Sequence, residues 1–165
     1  MSGRLNWKAV IVSGLVAGIV FMMLEMVLVA TIGGQSPWGP PRMIAAMVMG
    51  RDVLPPPATF NLGVMMVAMM IHFMVSIILA AIFGWVISHR RMNLPTTLIA
   101  GVGFGLIVYF VNFYLMTGVF PWFAMARGGI AIFSHAMFGL VLGWIYYAMA
   151  GHSSSGSAAQ TRQVV

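Results

Sequence analysis

Four side chains stand out as able to do chemistry in an apolar setting: Glu25, His72, Asn112 and His135. Each sits in a long apolar run, and Glu25 is the one acid inside any of them. An ionisable group within a bilayer costs on the order of 2.5–3.5 kcal/mol on insertion scales, so it marks a candidate site by default. A carboxyl with imidazoles can relay protons or hold a metal ion. Two imidazoles at one level can ligate a haem iron from both sides. A carboxamide can orient either group.

Their depths agree. At 1.5 Å per residue, Glu25 lies about 10 Å from the outer end of its run, His72 about 15 Å, Asn112 about 8 Å and His135 about 11 Å. All four fall in one half of the membrane. Their faces agree too, because residues four and seven apart share a helix face. Gly14, Gly18 and Glu25 form one stripe, and Gly101, Gly105 and Asn112 form a second. His135, Gly139 and Gly143 form a third, and His72, Ser76, Ala80 and Gly84 a fourth. Small residues mark close helix approach, so the polar groups point into a bundle and not at lipid.

The elements that must position them are four apolar runs, at residues 9–32, 62–88, 96–117 and 128–150. Each exceeds the roughly 20 residues that a spanning helix needs. Of the 165 residues, 61% are apolar and only 6% charged, where soluble domains carry about 25% charged residues. Lipid is therefore the expected solvent. The fold class is all-α, an integral membrane four-helix bundle forming a single domain over residues 1–150. The first run follows Arg4 and Lys8 but is longer than the roughly 7–15 residues of a signal-peptide core, so it reads as a retained helix. The net charge of +6 comes without a basic stripe interleaved with aromatics, so nucleic acid is excluded as a partner. With no cysteine, disulfides, iron–sulfur clusters and thiolate zinc sites are excluded.

Orientation follows from Lys and Arg. Arg4, Lys8, Arg90, Arg91 and Arg162 fall on one side, and Arg42, Arg51 and Arg127 on the other. The richer side is cytoplasmic by the positive-inside rule, which places both termini inside. Residues 33–61 form a long outer loop with a short interfacial helix at 42–50. Trp38 and Trp122, each after a proline, read as headgroup-level anchors. Residues 151–165 are small and polar and read as a disordered cytoplasmic tail.

The spacing of Gly14, Gly18 and Glu25 recurs in Gly101, Gly105 and Asn112. Each second helix adds one histidine and a Gly-Trp step, Gly84-Trp85 and Gly143-Trp144, which sit about one turn apart relative to that histidine. The chain reads as two related hairpins in the same orientation, a known membrane architecture.

Three readings of the polar layer are open. In the first it is interhelical hydrogen bonding, a Glu–His pair with an Asn satisfying itself. In the second it is a b-type haem site, with His72 and His135 as axial ligands and the glycines of the first and third helices making room. Arg42, Arg51 or Arg127 would then meet the propionates. In the third it handles protons or a metal ion. Met65, Met66, Met69, Met70 and Met74 would offer thioethers to Cu(I), with Met22, Met23 and Met26 nearby. Ser134 and His135 are adjacent and face different directions. No Ser-His-Asp set, His-Glu-x-x-His or phosphate loop occurs, so no enzyme is expected. The expected function is a non-enzymatic accessory or small-ligand-binding bundle, alone, as a homo-oligomer, or with a partner membrane subunit.

The second half adds a family resemblance. Leu115-Met116-Thr117-Gly118, Pro121-Trp122 and Phe133-Ser134-His135, together with His72 and Ser76, resemble the YagU-like inner-membrane proteins of bacteria over roughly residues 62–149, judged by motif spacing. Asn112 and the methionine-rich second helix depart from that pattern. The resemblance implies a bacterial inner-membrane location and carries no chemistry.

Overall fold

The computed structural model describes residues 5–89 and 92–161, with side chains described as far as residue 150. Arg4, Arg90, Arg91 and Arg162, which entered the orientation argument, lie outside the described residues. The described residues form helices joined by turns, with no strand among them. The helices are α1 (Trp7–Thr31), α2 (Gly39–Met49), α3 (Leu62–Ser88), α4 (Leu94–Phe110) and α5 (Gly129–Thr161). Four helical segments are long and apolar enough to cross a membrane: Trp7–Thr31, Leu62–Ser88, Leu94–Gly118 and Gly129–Ala150. The bundle expected from the sequence is therefore present, with ends shifted by at most two residues except at α5. There the helical backbone continues through residues 151–161 of the segment read as a tail.

Local chemistry sets the starts. Asn6, Asn61 and Asn93 each sit just before a span and accept a backbone N–H three residues on, from Ala9, Val64 and Thr96. An asparagine cap satisfies a donor that the first turn leaves orphaned. α4 does not run straight to its end. It passes into a π-helical turn, Val111–Leu115, and then a 3₁₀ turn, Met116–Gly118. Short π segments re-aim side chains and recur at functional sites. This one carries Asn112.

The spans pack unequally. α5 lies against both α1 and α4, and α1 also lies against α3, whereas α3 and α4 scarcely meet. The main core joins Val10, Ala17, Ala80, Phe83, Leu142 and Tyr146 at the end away from α2. The interfacial helix begins earlier than expected, at Gly39, and seats Ala45 against Val64 and Ala68 of α3. It is tied to the loop between α4 and α5 by Trp122, whose indole Nε1 donates to the Met43 carbonyl at 2.9 Å. The expectation for Trp122 as a headgroup anchor is corrected here. Its ring is buried because its N–H finds a protein acceptor. The exposed indoles are Trp7, Trp85 and Trp144.

Candidate functional site

Gly18 comes closest to α3. A Cβ at this position would lie 2.8 Å from Ser76 Oγ and 3.3 Å from His72 Nε2. That approach lets His72 Nε2 donate to the Gly18 carbonyl at 2.9 Å. In the neutral ring the Nδ1 atom then carries the lone pair. In the second hairpin Gly105 takes the corresponding role, its backbone pressed against that of His135. His135 Nδ1 donates to the Ala131 carbonyl one turn back at 2.7 Å, so Nε2 is the acceptor. Asn112 fills it, with Nδ2 at 3.3 Å. Three aromatic rings enclose the imidazole: Phe21 at 4.7 Å, Phe113 at 5.5 Å and Tyr109 at 5.7 Å between centroids.

Glu25 is served differently. It is buried, and its Oε1 has no hydrogen-bond partner. The Ser134 hydroxyl is the polar neighbour that acts on the carboxyl, and Ser134 Oγ and Glu25 Oε1 are both sealed from solvent. The expected Glu–His pair is thus not formed. His72 has taken a backbone carbonyl, and His135 has taken a carbonyl and the carboxamide.

Glu25, His72, Asn112 and His135 all line one cavity of about 580 Å³. It reaches from α2 and the α4–α5 loop to Leu79 and Phe138, with Phe21, Phe113 and Phe123 in its wall. This volume lies within the roughly 300–1,000 Å³ of small-molecule sites. The structure therefore brings the four sequence-identified residues together. The small-residue stripes serve the packing that surrounds them. Gly14 faces Ile77 and Ala80, and Gly101 and Gly139 meet backbone to backbone, with Gly143 close by.

These contacts align the two hairpins. Gly14, Gly18 and Glu25 of α1 correspond to Gly101, Gly105 and Asn112, while His72, Ser76 and Ala80 correspond to His135, Gly139 and Gly143. The Gly-Trp steps fall out of this register, so they are not counterparts. The register also explains the cavity. Where α1 meets α5, Phe21 and Phe138 pack edge to face at 6.2 Å. The corresponding residues where α4 would meet α3 are Val108 and Val75, and both line the cavity. Two rings close one interface, and two valines leave its counterpart open.

The haem arrangement does not fit these residues. The Phe21 ring stands against both imidazoles, stacked on His72 at 5.6 Å and edge-on to His135. The space beside the glycines expected to make room is filled by the neighbouring helices, by side chains at Gly18 and by backbone at Gly101 and Gly105. Of the three arginines expected at propionates, Arg42 and Arg127 bond elsewhere and Arg51 does not line the cavity. Arg42 donates from Nε, Nη1 and Nη2 to the carbonyls of Thr59 and Val53. Arg127 Nε donates to the Phe113 carbonyl, which the π turn frees, at 2.7 Å. A metal centre fares no better. Among the described residues no three His, Asp or Glu side chains are placed to hold an ion. Met66, Met70 and Met74 are exposed on α3. None of the five methionines of that stripe lines the cavity.

Sequence reasoning missed Phe21 and Ser134. Phe21 sits on the Gly18–Glu25 stripe and was readable from its spacing. Ser134 is fully buried beside His135, because α5 is packed between α1 and α4 and presents two inward faces. Fold and cavity together define a helical bundle of four span-length helices around a polar-floored cavity near α2. Compared with protein-family models, curated proteins and solved structures, the chain shows no match.

Proposed function

We propose that this chain is a multi-pass protein of a bacterial inner membrane, both termini cytoplasmic, that binds a small molecule in the cavity near α2 and catalyses no reaction. The observation that supports this reading is the convergence of Glu25, His72, Asn112 and His135 on one cavity of about 580 Å³, large enough for a ligand. Small-molecule sites are concave and mostly apolar, with a few polar groups placed to orient what they hold. The orientation rests on the Lys and Arg bias. The inner-membrane location rests on the likeness of the 115–135 segment to YagU-like proteins. The non-catalytic reading is supported by the arrangement of Ser134 and His135, whose Oγ and Nε2 are not paired as nucleophile and base.

Native mass spectrometry of protein purified in mild detergent tests the reading. A stoichiometric adduct of constant mass is expected on the wild type, reduced at least tenfold in Glu25→Leu. An adduct-free wild type that keeps its thermal stability overturns it.

A further inference from the structure

The cavity has a charged rim and an apolar depth. α2 and the 3₁₀ segment Pro121–Ala126 close its α2 end as a lid, joined by the bond from Trp122 to the Met43 carbonyl. This bond links the two segments that carry Arg42 and Arg127, and both arginines line the cavity. Arg42 uses three of its five N–H groups on the carbonyls of Thr59 and Val53. Arg127 uses two, on the Phe113 carbonyl and the Thr117 hydroxyl, with its guanidinium 4.4 Å above the Tyr114 ring. All of these acceptors are neutral. The bonds fix both guanidiniums in place, leave N–H groups over, and neutralise neither charge.

The chain has only two acids to answer these cations. Asp52 is exposed and does not line the cavity. Glu25 lies six residues inside the end of α1, about 9 Å down the helix, with one oxygen sealed. A cation beside a low-dielectric wall attracts an anion more strongly than it does in water. Guanidinium N–H groups match the oxygens of phosphate and carboxylate in pairs. Gln35, also in the lining, adds a carboxamide donor. Deeper in, the wall is apolar, formed by Ile71, Val75 and Leu79 of α3 and Val108 of α4. An inorganic anion would occupy the rim and leave this wall to water, whereas an apolar tail covers it. Resting on the small-molecule reading above, we infer that the ligand is an amphiphile with an anionic phosphate or carboxylate head, held by Arg42 and Arg127, and an apolar tail laid on the Val75 and Val108 wall.

The test uses the full chain in maltoside micelles, which bring no phosphate of their own. Three probes carry the same ten-carbon diazirine tail, with a phosphate, a hydroxyl or a trimethylammonium head. Photolabelled peptides are mapped by mass spectrometry. The phosphate probe is expected to label the Val75 and Val108 wall about tenfold above the other two, as charge-assisted bonds would give. Arg42→Gln and Arg127→Gln, which remove a charge and keep N–H groups, are each expected to lower that labelling several-fold and to leave the hydroxyl probe unaffected. Arg127→Lys is expected to retain most of it. Val108→Phe, which fills the wall, is expected to lower labelling by the phosphate and hydroxyl probes alike. Equal labelling by the hydroxyl probe, or stronger labelling by the ammonium probe, overturns the anionic head while cavity binding stands, and this comparison needs no variant to fold. Displacement of the phosphate probe by inorganic phosphate as readily as by decyl phosphate overturns the amphiphile in favour of a free anion. An unchanged phosphate preference in the folded glutamine variants overturns the arginine head site, and undiminished labelling in folded Val108→Phe overturns the placement of the tail. No labelling of cavity residues by any probe overturns the inference, and if the wild type still carries its native adduct the small-molecule reading survives it.

Discussion

The Gly18 carbonyl oxygen lies 2.9 Å from His72 Nε2, and this bond exists because no side chain separates α1 from α3 at that level. A Cβ on Gly18 would meet the Ser76 hydroxyl at 2.8 Å, a group that can rotate away. A Cβ on Gly105 would instead overlap the carbonyl oxygen of His135, which cannot move without its helix. At Gly103 a Cβ meets nothing within 4 Å. Overpacking typically costs about 1–3 kcal/mol. Unfolding in mixed micelles should rank the three alanine variants accordingly. Gly105→Ala loses about 3 kcal/mol or does not fold, and Gly18→Ala loses about 1 kcal/mol. Gly103→Ala is neutral or gains up to about 1 kcal/mol from helix propensity. Equal effects at Gly103 and Gly105 would contradict the close approach of α4 and α5.

Asn112 is presented by the π turn and gives its amide hydrogen to His135 Nε2. Asn112→Leu removes that donor and keeps most of the volume. Interhelical hydrogen bonds in membranes are worth about 0.6–2 kcal/mol, so a loss in that range is expected. The ¹⁵N chemical shifts of His135 provide a sharper readout. In the wild type they should report hydrogen on Nδ1 and an acceptor at Nε2. In Asn112→Leu the Nε2 shift should move toward that of a free lone pair, with Nδ1 unchanged. An unchanged Nε2 signal would mean that the pair is not formed.

The common level and inward faces of Glu25, His72, Asn112 and His135 were legible because helix rise and period convert sequence spacing directly into depth and direction. The four spans were legible from length and apolarity alone. Partner choice was not. A histidine that bonds a backbone carbonyl, as His72 does at Gly18, leaves no mark in the sequence, since every residue offers the same carbonyl. The opening between α3 and α4 was hidden for a related reason. Its cause is a comparison between Phe21 with Phe138 and Val108 with Val75, which has meaning only once the contacts fix the register of the two hairpins. The π turn at Asn112 has no side-chain signature here.

Met66, Met70 and Met74 are exposed on α3, turned away from the polar cavity. Replacing all three with leucine exchanges one apolar surface for another of similar size. Surface changes of this kind fall within about 0.5 kcal/mol. Thermal stability should therefore hold, and elemental analysis of protein from copper-supplemented cells should give the same copper content for variant and wild type. A fall in bound copper in the triple variant would restore a role for the thioethers.

Trp122 donates from its indole nitrogen to the Met43 carbonyl at 2.9 Å, and this bond joins the α4–α5 loop to α2. The ring also packs beside Phe120 and Phe123. Trp122→Phe keeps an aromatic ring in place and deletes only the donor, while the Met43 carbonyl keeps its place in the helical ladder of α2. A net loss of about 0.5–1.5 kcal/mol is typical for one such bond. Because the bond holds a lid and not the main core, the effect should be local. Amide exchange in α2, from Arg42 to Met49, is expected to speed up about two- to tenfold, the rate equivalent of that loss, while α1 and α5 keep their protection. Uniform acceleration across all helices would show that Trp122 supports the whole bundle, and unchanged exchange in α2 would show that the indole bond contributes nothing to holding the lid.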